Sequence, residues 1–130
     1  MAEASSSEET GRAVVERARL WLGTPYRHQA SCRGAGTDCL GLLRGLWRET
    51  LGQEPETVPP YTADWSEVGG AEDLLAAARR HLVPVPRPQS QSGDVLVLRM
   101  KEGGGAKHVG ILVCSGVGQQ TMIHAYSGYG

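Results

Sequence analysis

The sequence predicts an α+β fold in which N-terminal helices pack on an antiparallel sheet. Apolar residues recur at helical spacing before Gly93, and continuous β-type runs separated by short turns follow it. Helices first and strands second are typical of α+β rather than alternating α/β proteins. At 130 residues, 40% hydrophobic and 21% charged, the chain has the size and composition of one globular domain, which we place at residues 1–130.

The first helix is predicted to begin at Ser6 and to end before Gly23. Ser6 and Glu9 fit a capping box, in which each side chain satisfies a free backbone amide of the other residue. Gly23 and Pro25 stop the helix, and we expect residues 1–7 to be disordered. Its apolar face is formed by Val14, Ala18 and Leu22, with Trp21 beside them.

The second helix is the most clearly marked element. Asp38 is a good N-cap residue, and Gly52 lies where a C-terminal glycine belongs. The buried stripe of this helix is predicted to contain Leu42, Leu43, Leu46 and Trp47. An irregular connection over residues 53–70 and a third helix over about Ala71–Leu82 are expected to follow.

The last third of the chain is predicted to form three strands after an extended, proline-rich segment, Val83–Gly93. The strands are placed at Asp94–Met100, His108–Cys114 and Gln119–Ala125, with turns at Glu102–Gly105 and Ser115–Gly118. Short turns between consecutive strands favour antiparallel pairing, on which the second helix can lie.

Net charge and hydropathy exclude several function classes. Lys and Arg number 13 and Asp and Glu 14, for a net charge of −1, which argues against non-specific binding to nucleic acid or to an anionic membrane. No apolar run approaches the ~20 residues that span a bilayer. Residues 1–10 are acidic and serine-rich and lack the pattern of a secretory signal. We therefore expect a protein made in the cytoplasm without its own signal peptide.

Cys39 is the candidate nucleophile. It follows the N-cap of the second helix, where free amides and the helix dipole stabilise a thiolate and lower the cysteine pKa. The alternative is a small buried residue on an apolar helix face. Three cysteines, an odd number, do not suggest a disulfide framework. We expect Cys32 to be a free loop thiol and Cys114 a buried strand residue.

Two histidines are candidate partners of this thiol. His108 and His124 are equidistant from Gly116, the middle of the predicted turn, so a regular hairpin places their Cβ atoms opposite each other at ~5 Å. The alternative is two unrelated histidines at strand ends. A helix-start thiol and an oriented imidazole are the groups that cysteine hydrolases use.

A metal site is the weaker interpretation of the same residues. His28, Cys32 and Cys39 do not have the spacing of a common zinc motif. A tetrahedral site would need a fourth ligand, from His108, His124 or Cys114. The hydrolase interpretation needs no metal and no organic cofactor, and we expect neither.

Five segments resemble the motifs of the NlpC family of bacterial cell-wall peptidases. Thr37–Leu42 is similar to the family's Asp-Cys-Ser-Gly-Leu signature, and His108–Leu112 to its His-Val-Gly-Ile-Tyr motif. The other three are Thr24–Tyr26, Ser92–Leu96 and Ile123–Ala125, which resemble the tyrosine-bearing loop, the Pro-Gly-Asp-Leu segment and the segment of the third catalytic residue. The matches occur in the family's order over about residues 13–126.

This resemblance implies a papain-like fold and a cysteine peptidase that cuts peptidoglycan stem peptides, typically between γ-D-glutamate and the diamino acid. Cys39 is then the nucleophile, His108 the base and His124 the residue that orients it. The Cys39 amide would help bind the oxyanion. Tyr26 and Asp38 are the candidate substrate-binding residues, although for Asp38 helix capping comes first and substrate contact second.

Residues 21–29 and 38–42 resemble the phage-type branch, which includes tail peptidases of prophages and of gene transfer agents. That branch implies a location in the tail of a phage-like particle, action on the cell wall in the periplasm, and two kinds of partner, peptidoglycan and other tail hub or tip proteins. A structural tail protein with little hydrolysis is the alternative, and an amidase that cuts the sugar–peptide link is a third possibility.

The sequence also departs from the family's pattern. Leu40 and Leu112 replace the usual serine and tyrosine, and six residues follow His124, where relatives continue into further strands. We therefore expect either a missing segment or a partner at the exposed sheet edge.

Overall fold

The protein is described here by a computed structural model that covers residues 2–58, 73–99, 106–115, 118–126 and 130. Its elements, in chain order, are α1 (Ala2–Arg19), β1 (Ser31–Cys32), β2 (Gly36–Thr37), α2 (Cys39–Thr50), α3 (Asp73–His81), a 3₁₀ turn (Arg87–Gln89), β3 (Val95–Arg99), β4 (Ala106–Cys114) and β5 (Gln120–Ile123). Helices precede an antiparallel sheet, so the predicted α+β class is confirmed.

The main sheet has three antiparallel strands in the order β3-β4-β5, and a separate two-stranded hairpin, β1-β2, precedes α2. Helix α2 packs against β4, and α1 packs against both α2 and β4. The predicted packing of N-terminal helices on the sheet is therefore confirmed. The core between these layers contains Val15, Ala18, Trp21, Leu42, Leu46, Ile111 and Val113.

Helix α1 differs from its prediction at both ends. It begins at Ala2, so Ser6 lies inside the helix and the predicted capping box is wrong. At the other end, the Trp21 amide bonds to the Ala18 carbonyl, three residues back. This tighter turn brings Trp21 into the core and leaves Leu22 61% exposed, so the predicted apolar face is wrong at Leu22.

Helix α2 begins and ends as predicted. The Asp38 carboxylate accepts the Gly41 amide at 2.7 Å, and Gly52 follows the C-cap with a φ of +99°, a conformation that favours glycine. Within the predicted stripe, Leu42 and Leu46 are buried. Leu43 and Trp47 are only half-buried, because they line a cavity of about 420 Å³ between α2, α3 and the sheet.

The segment after α2 is held to both helices by ion pairs. Glu54 binds Arg44 at 2.7 Å and Arg48 at 3.0 Å, and Glu56 binds Arg80 of α3 at 2.9 Å. The predicted 53–70 connection is described as far as Val58, and α3 lies within its predicted range. The predicted Glu102–Gly105 turn and the centre of the Ser115–Gly118 turn lie outside the described residues.

In the part of the chain that the structure describes, no helix is both long enough and apolar enough to span a bilayer.

Gly45 provides a test of the packing between α1 and α2. A Cβ atom at Gly45 would lie 2.1 Å from the ring of Trp21, so the two can pack only because this residue is glycine. We expect Gly45→Ala to lower the free energy of unfolding by about 1–3 kcal/mol, despite the better helix propensity of alanine. Urea denaturation measures this change.

Glu9→Ala, on the exposed side of α1, is the matched control for Gly45→Ala and should change stability by less than about 0.5 kcal/mol. Unchanged or increased stability of Gly45→Ala would contradict the close contact with Trp21.

Candidate active site

Cys39 is the first residue of α2, directly after the Asp38 cap. Burial raises the pKa of its thiol above the ordinary value, and the neighbouring Asp38 carboxylate raises it further. The backbone amides of Val109, Leu40 and Cys39 itself favour the thiolate and oppose this rise. Burial is the larger effect, so the predicted lowering of the thiol pKa by the helix start is wrong for the free protein.

The interaction between the Val109 amide and the Cys39 thiol places Cys39 against the main sheet. Val109 lies on β4 and is 1% exposed, and the residue before it is His108. Cys39 also borders a small pocket formed with apolar residues of α2, β3 and β4. The structure thus places Cys39 against β4, at the backbone of the residue that follows His108.

His108 and His124 meet, although not in the predicted register. Ile111 pairs with Ile123 and Cys114 pairs with Gln120, so the hairpin is centred on residue 117 and not on Gly116. Direct opposition of the two histidines is therefore wrong. The shift keeps both on one face of the sheet, and His108 Nε2 lies 2.7 Å from His124 Nδ1 along the diagonal.

Gly110 makes this diagonal contact possible. The observed register, extended by one residue beyond the Ile111–Ile123 pair, places Gly110 across from His124. A Cβ atom at residue 110 would lie 3.2 Å from the His124 Cβ atom and 2.4 Å from Met122 Cγ. The absence of a side chain therefore leaves room for His124 to lean toward His108.

The His108 imidazole is held neutral. The residue is 5% exposed, and burial, together with the positive charge that His124 can carry, lowers the pKa of His108 to about 4. Its Nε2 atom is occupied by His124, which leaves Nδ1 as the ring nitrogen available to a second partner. At neutral pH, a neutral thiol and a neutral imidazole are thus present at this end of β4.

Tyr26 lies beside the same thiol. It forms a parallel bridge with Thr37, the residue before the Asp38 cap. Burial raises the pKa of its phenol, and the charges of Asp38 and Cys39 raise it further. The phenol is thus close enough to Asp38 and Cys39 for their charges to act on its pKa, which places it beside the thiol.

Asp38 is buried, and its carboxylate joins the start of α2 to the preceding loop. The residue is 2% exposed, its Oδ1 atom accepts the Gly41 amide, and its Oδ2 atom accepts the Gln29 amide, both at 2.7 Å. Gln29 has a φ of +65°, an uncommon conformation for a residue with a side chain. These contacts favour helix capping and loop anchoring, and they argue against the substrate contact that was the second expectation for Asp38.

Tyr126 is a site residue that the sequence analysis missed. Its ring centroid lies 5.5 Å from that of His108 and 5.9 Å from that of His124. The sequence contains one signal for this contact. Residues two apart in a strand point to the same face, and Tyr126 follows His124 by two residues. Because the predicted pairing of the two strands was wrong by two residues, Tyr126 was not placed across from His108.

The metal interpretation receives no geometric support. Among the described residues, no group of three or more His, Cys, Asp or Glu side chains could hold a metal ion. Cys32 is exposed in the β1-β2 hairpin, and the His28 ring lies 3.9 Å from Asp38. Cys114 is also exposed, so its predicted burial is wrong; it is the last residue of β4.

The fold and this arrangement define an α+β protein with a thiol at a helix start and a histidine pair on the adjoining sheet. Its sequence matches the NlpC/P60 family over residues 23–130, and the chain belongs to that family.

Two relatives come from Corynebacterium glutamicum. "Probable endopeptidase Cgl2188" of strain ATCC 13032 is 29% identical over 124 residues, which cover 95% of this chain and 47% of that protein. A "Probable endopeptidase" of strain R is also 29% identical over 124 residues, covering 95% of this chain and 46% of that protein. The chain thus spans about half the length of these curated relatives.

The charge of Asp38 provides a test of the thiol's environment. Because this carboxylate raises the pKa of the Cys39 thiol, we expect Asp38→Asn to make alkylation of Cys39 by iodoacetamide about two- to tenfold faster at pH 7. Peptide mass mapping measures the rate at Cys39, with exposed Cys32 as the internal reference in the same sample.

The side-chain amide that Asp38→Asn introduces retains one acceptor oxygen, so a melting curve that shows a folded variant is the required control. An equal or slower rate at Cys39 in the folded variant would show that the Asp38 charge does not act on the thiol.

Proposed function

We propose that this protein is a cysteine peptidase of papain-like fold that hydrolyses the peptide stems of bacterial peptidoglycan. The observation that carries the proposal is the 2.7 Å contact between His108 and His124, together with the Val109 amide, next in the chain after His108, which acts on the Cys39 thiol. Membership of the NlpC/P60 family and the two relatives named as probable endopeptidases support the same reaction.

The histidine pair determines which nitrogen acts as the base. We assign the donor role in this 2.7 Å contact to the Nε2–H of neutral His108 and the acceptor role to Nδ1 of His124, which puts the lone pair of His108 at Nδ1. His124 then carries its own proton on Nε2. This tautomer leaves His108 Nδ1 as the acceptor of the Cys39 proton, and the hydrogen bond to His124 stabilises the imidazolium that results.

The reaction proceeds in two halves. Cys39 Sγ attacks the amide carbonyl as His108 takes the thiol proton, and the imidazolium then protonates the departing amine, which leaves a thioester on Cys39. Water attacks the thioester after losing a proton to His108, the carboxylic acid product departs, and the thiol regains its proton. The Cys39 amide helps bind the oxyanion, and Tyr26 lines the pocket for the substrate.

Both pKa shifts favour proton transfer that is coupled to attack. Burial disfavours the thiolate of Cys39 and the imidazolium of His108, so the free protein holds two neutral groups. When a substrate carbonyl is present, charge develops on its oxygen rather than remaining on sulfur. The amides at the start of α2 are already oriented to stabilise that charge.

We further propose that the protein acts as a component of a phage-like tail, where it opens the cell wall locally for DNA delivery. The support is the resemblance of residues 21–29 and 38–42 to the phage-type branch of the family. Its partners would then be peptidoglycan and neighbouring hub or tip proteins, and its site of action the periplasmic cell wall.

Digestion of purified peptidoglycan fragments tests the proposed reaction. We expect the wild-type protein to cleave within the stem peptide, Cys39→Ala to abolish cleavage, and Cys32→Ala, at an exposed thiol outside the site, to cleave like the wild type. Mass spectrometry of the products identifies the bond.

Release of the intact stem peptide from the sugar would show an amidase instead. Absence of cleavage by the wild-type protein, both purified and in intact particles, would contradict a peptidase and favour a structural tail role.

His124 provides a second test, because its proposed role requires only a hydrogen-bond acceptor. We expect His124→Ala to lower kcat by on the order of 100-fold, whereas His124→Asn, whose amide oxygen can accept from His108 Nε2, should lose about tenfold or less. Steady-state kinetics on a stem peptide measures both variants. Equal losses in the two folded variants would contradict the orienting role of His124.

A further inference from the structure

Three rings meet at the end of the β4-β5 hairpin. The centroids of His108 and His124 are 5.0 Å apart with their planes at 81°, and Tyr126 stands nearly perpendicular to His108, at 83°. Tyr126 is inclined at 45° to His124. Edge-to-face contacts of this kind restrict the rotation of each ring.

We propose that Tyr126 is a positioning residue that covers His108 and keeps its Nε2 atom directed at His124. The proposal rests on the proposed function for its catalytic meaning and adds a residue that the family motifs quoted above do not include. Tyr126 acts through the His108 imidazole and not on the substrate.

Burial supports this covering role. His108 is 5% exposed and Tyr126 is 41% exposed, so the tyrosine ring lies on the solvent side of a histidine that it contacts. The neighbour of His108 across β3 is Leu98, which carries no charge. Arg99, the charged residue nearest on β3, is exposed and lies beyond a register shift.

Among the described residues, the titratable rings that contact His108 are those of His124 and Tyr126. Of these, His124 is the one whose charge acts on the His108 pKa, after burial itself. Removing a covering ring should relieve the burial, which is the larger of the two causes.

The backbone holds Tyr126 in this place. Its amide donates to the Gly130 carbonyl at 3.0 Å, and the Gly130 amide donates back at 3.1 Å. Gly130 in turn lies so close to the chain before Tyr26 that a Cβ atom there would be 2.8 Å from the Thr24 carbonyl oxygen. The segment that carries Tyr126 thus packs closely against the loop that carries Tyr26.

The contact is between rings, so the hydroxyl group of Tyr126 should be dispensable. Phenylalanine preserves the covering ring, leucine preserves part of the volume without the flat edge, and alanine uncovers His108. These three substitutions separate ring packing from a hydrogen-bonding role of the phenol.

An NMR titration of the full chain tests the proposal. The imidazole ¹⁵N and ¹H signals report the pKa and the tautomer of His108 without substrate. We expect the pKa of His108 in Y126A to rise from about 4 toward 6.5, by about one pH unit or more, and in Y126F to remain at the wild-type value. Leu22→Ala, which shortens an exposed apolar side chain outside the site, should leave the titration unchanged.

An unchanged titration in folded Y126A would overturn the proposal. If Y126A does not fold, Y126L is titrated in its place and is held to the same criterion. A rise in Y126F equal to that in Y126A would also overturn it, because the hydroxyl would then carry the effect.

Steady-state kinetics on a stem peptide adds a second readout. We expect Y126A to lower kcat by on the order of tenfold with KM nearly unchanged, and Y126F to restore kcat. Since the titration needs no substrate, it decides the role of Tyr126 even if the wild-type protein cleaves no stem peptide, a result that would contradict only the proposed function.

Discussion

The buried carboxylate of Asp38 is the constraint on which the site depends. One oxygen accepts the amide of Gly41 in the first turn of α2, and the other accepts the amide of Gln29 in the preceding loop. A buried charge is tolerated only with such partners, so the loop and the helix must keep their spacing. Cys39 is the next residue, and its place at the helix start follows from this one side chain.

Three glycines allow the close contacts by which the loop, the core and the histidine pair pack around this site. A Cβ atom at Gly41 would lie 1.8 Å from the Ala30 carbonyl oxygen, so the loop can approach the helix closely enough for Asp38 to bind both. Gly45, one turn later, accommodates the ring of Trp21, and Gly110 accommodates His124 on the sheet. In each case the missing side chain creates the space that a functional or core side chain occupies.

Local chemistry made α2 and the histidine contact predictable from the sequence. Asp38 and Gly52 mark the helix ends by capping. Alternation along a strand places His108 and His124 on one face both in the predicted register and in the observed one, because the two registers differ by an even number of residues. The end of α1, the register and the thiol pKa were not predictable, because they depend on tertiary packing. The contact of Trp21 with Gly45, the hairpin turn and the burial of Cys39 bring together residues that no local pattern connects.

Burial has opposite consequences for the two groups that the proposed reaction uses. It raises the pKa of the Cys39 thiol and lowers that of the His108 imidazole, so each is stabilised in its uncharged form. Proton transfer in such a site depends less on a preformed thiolate–imidazolium pair than on the orientation of the surrounding N–H groups. The amides at the start of α2 and the His124 ring are fixed before any charge develops, and the covering of His108 by Tyr126 is part of the same orientation.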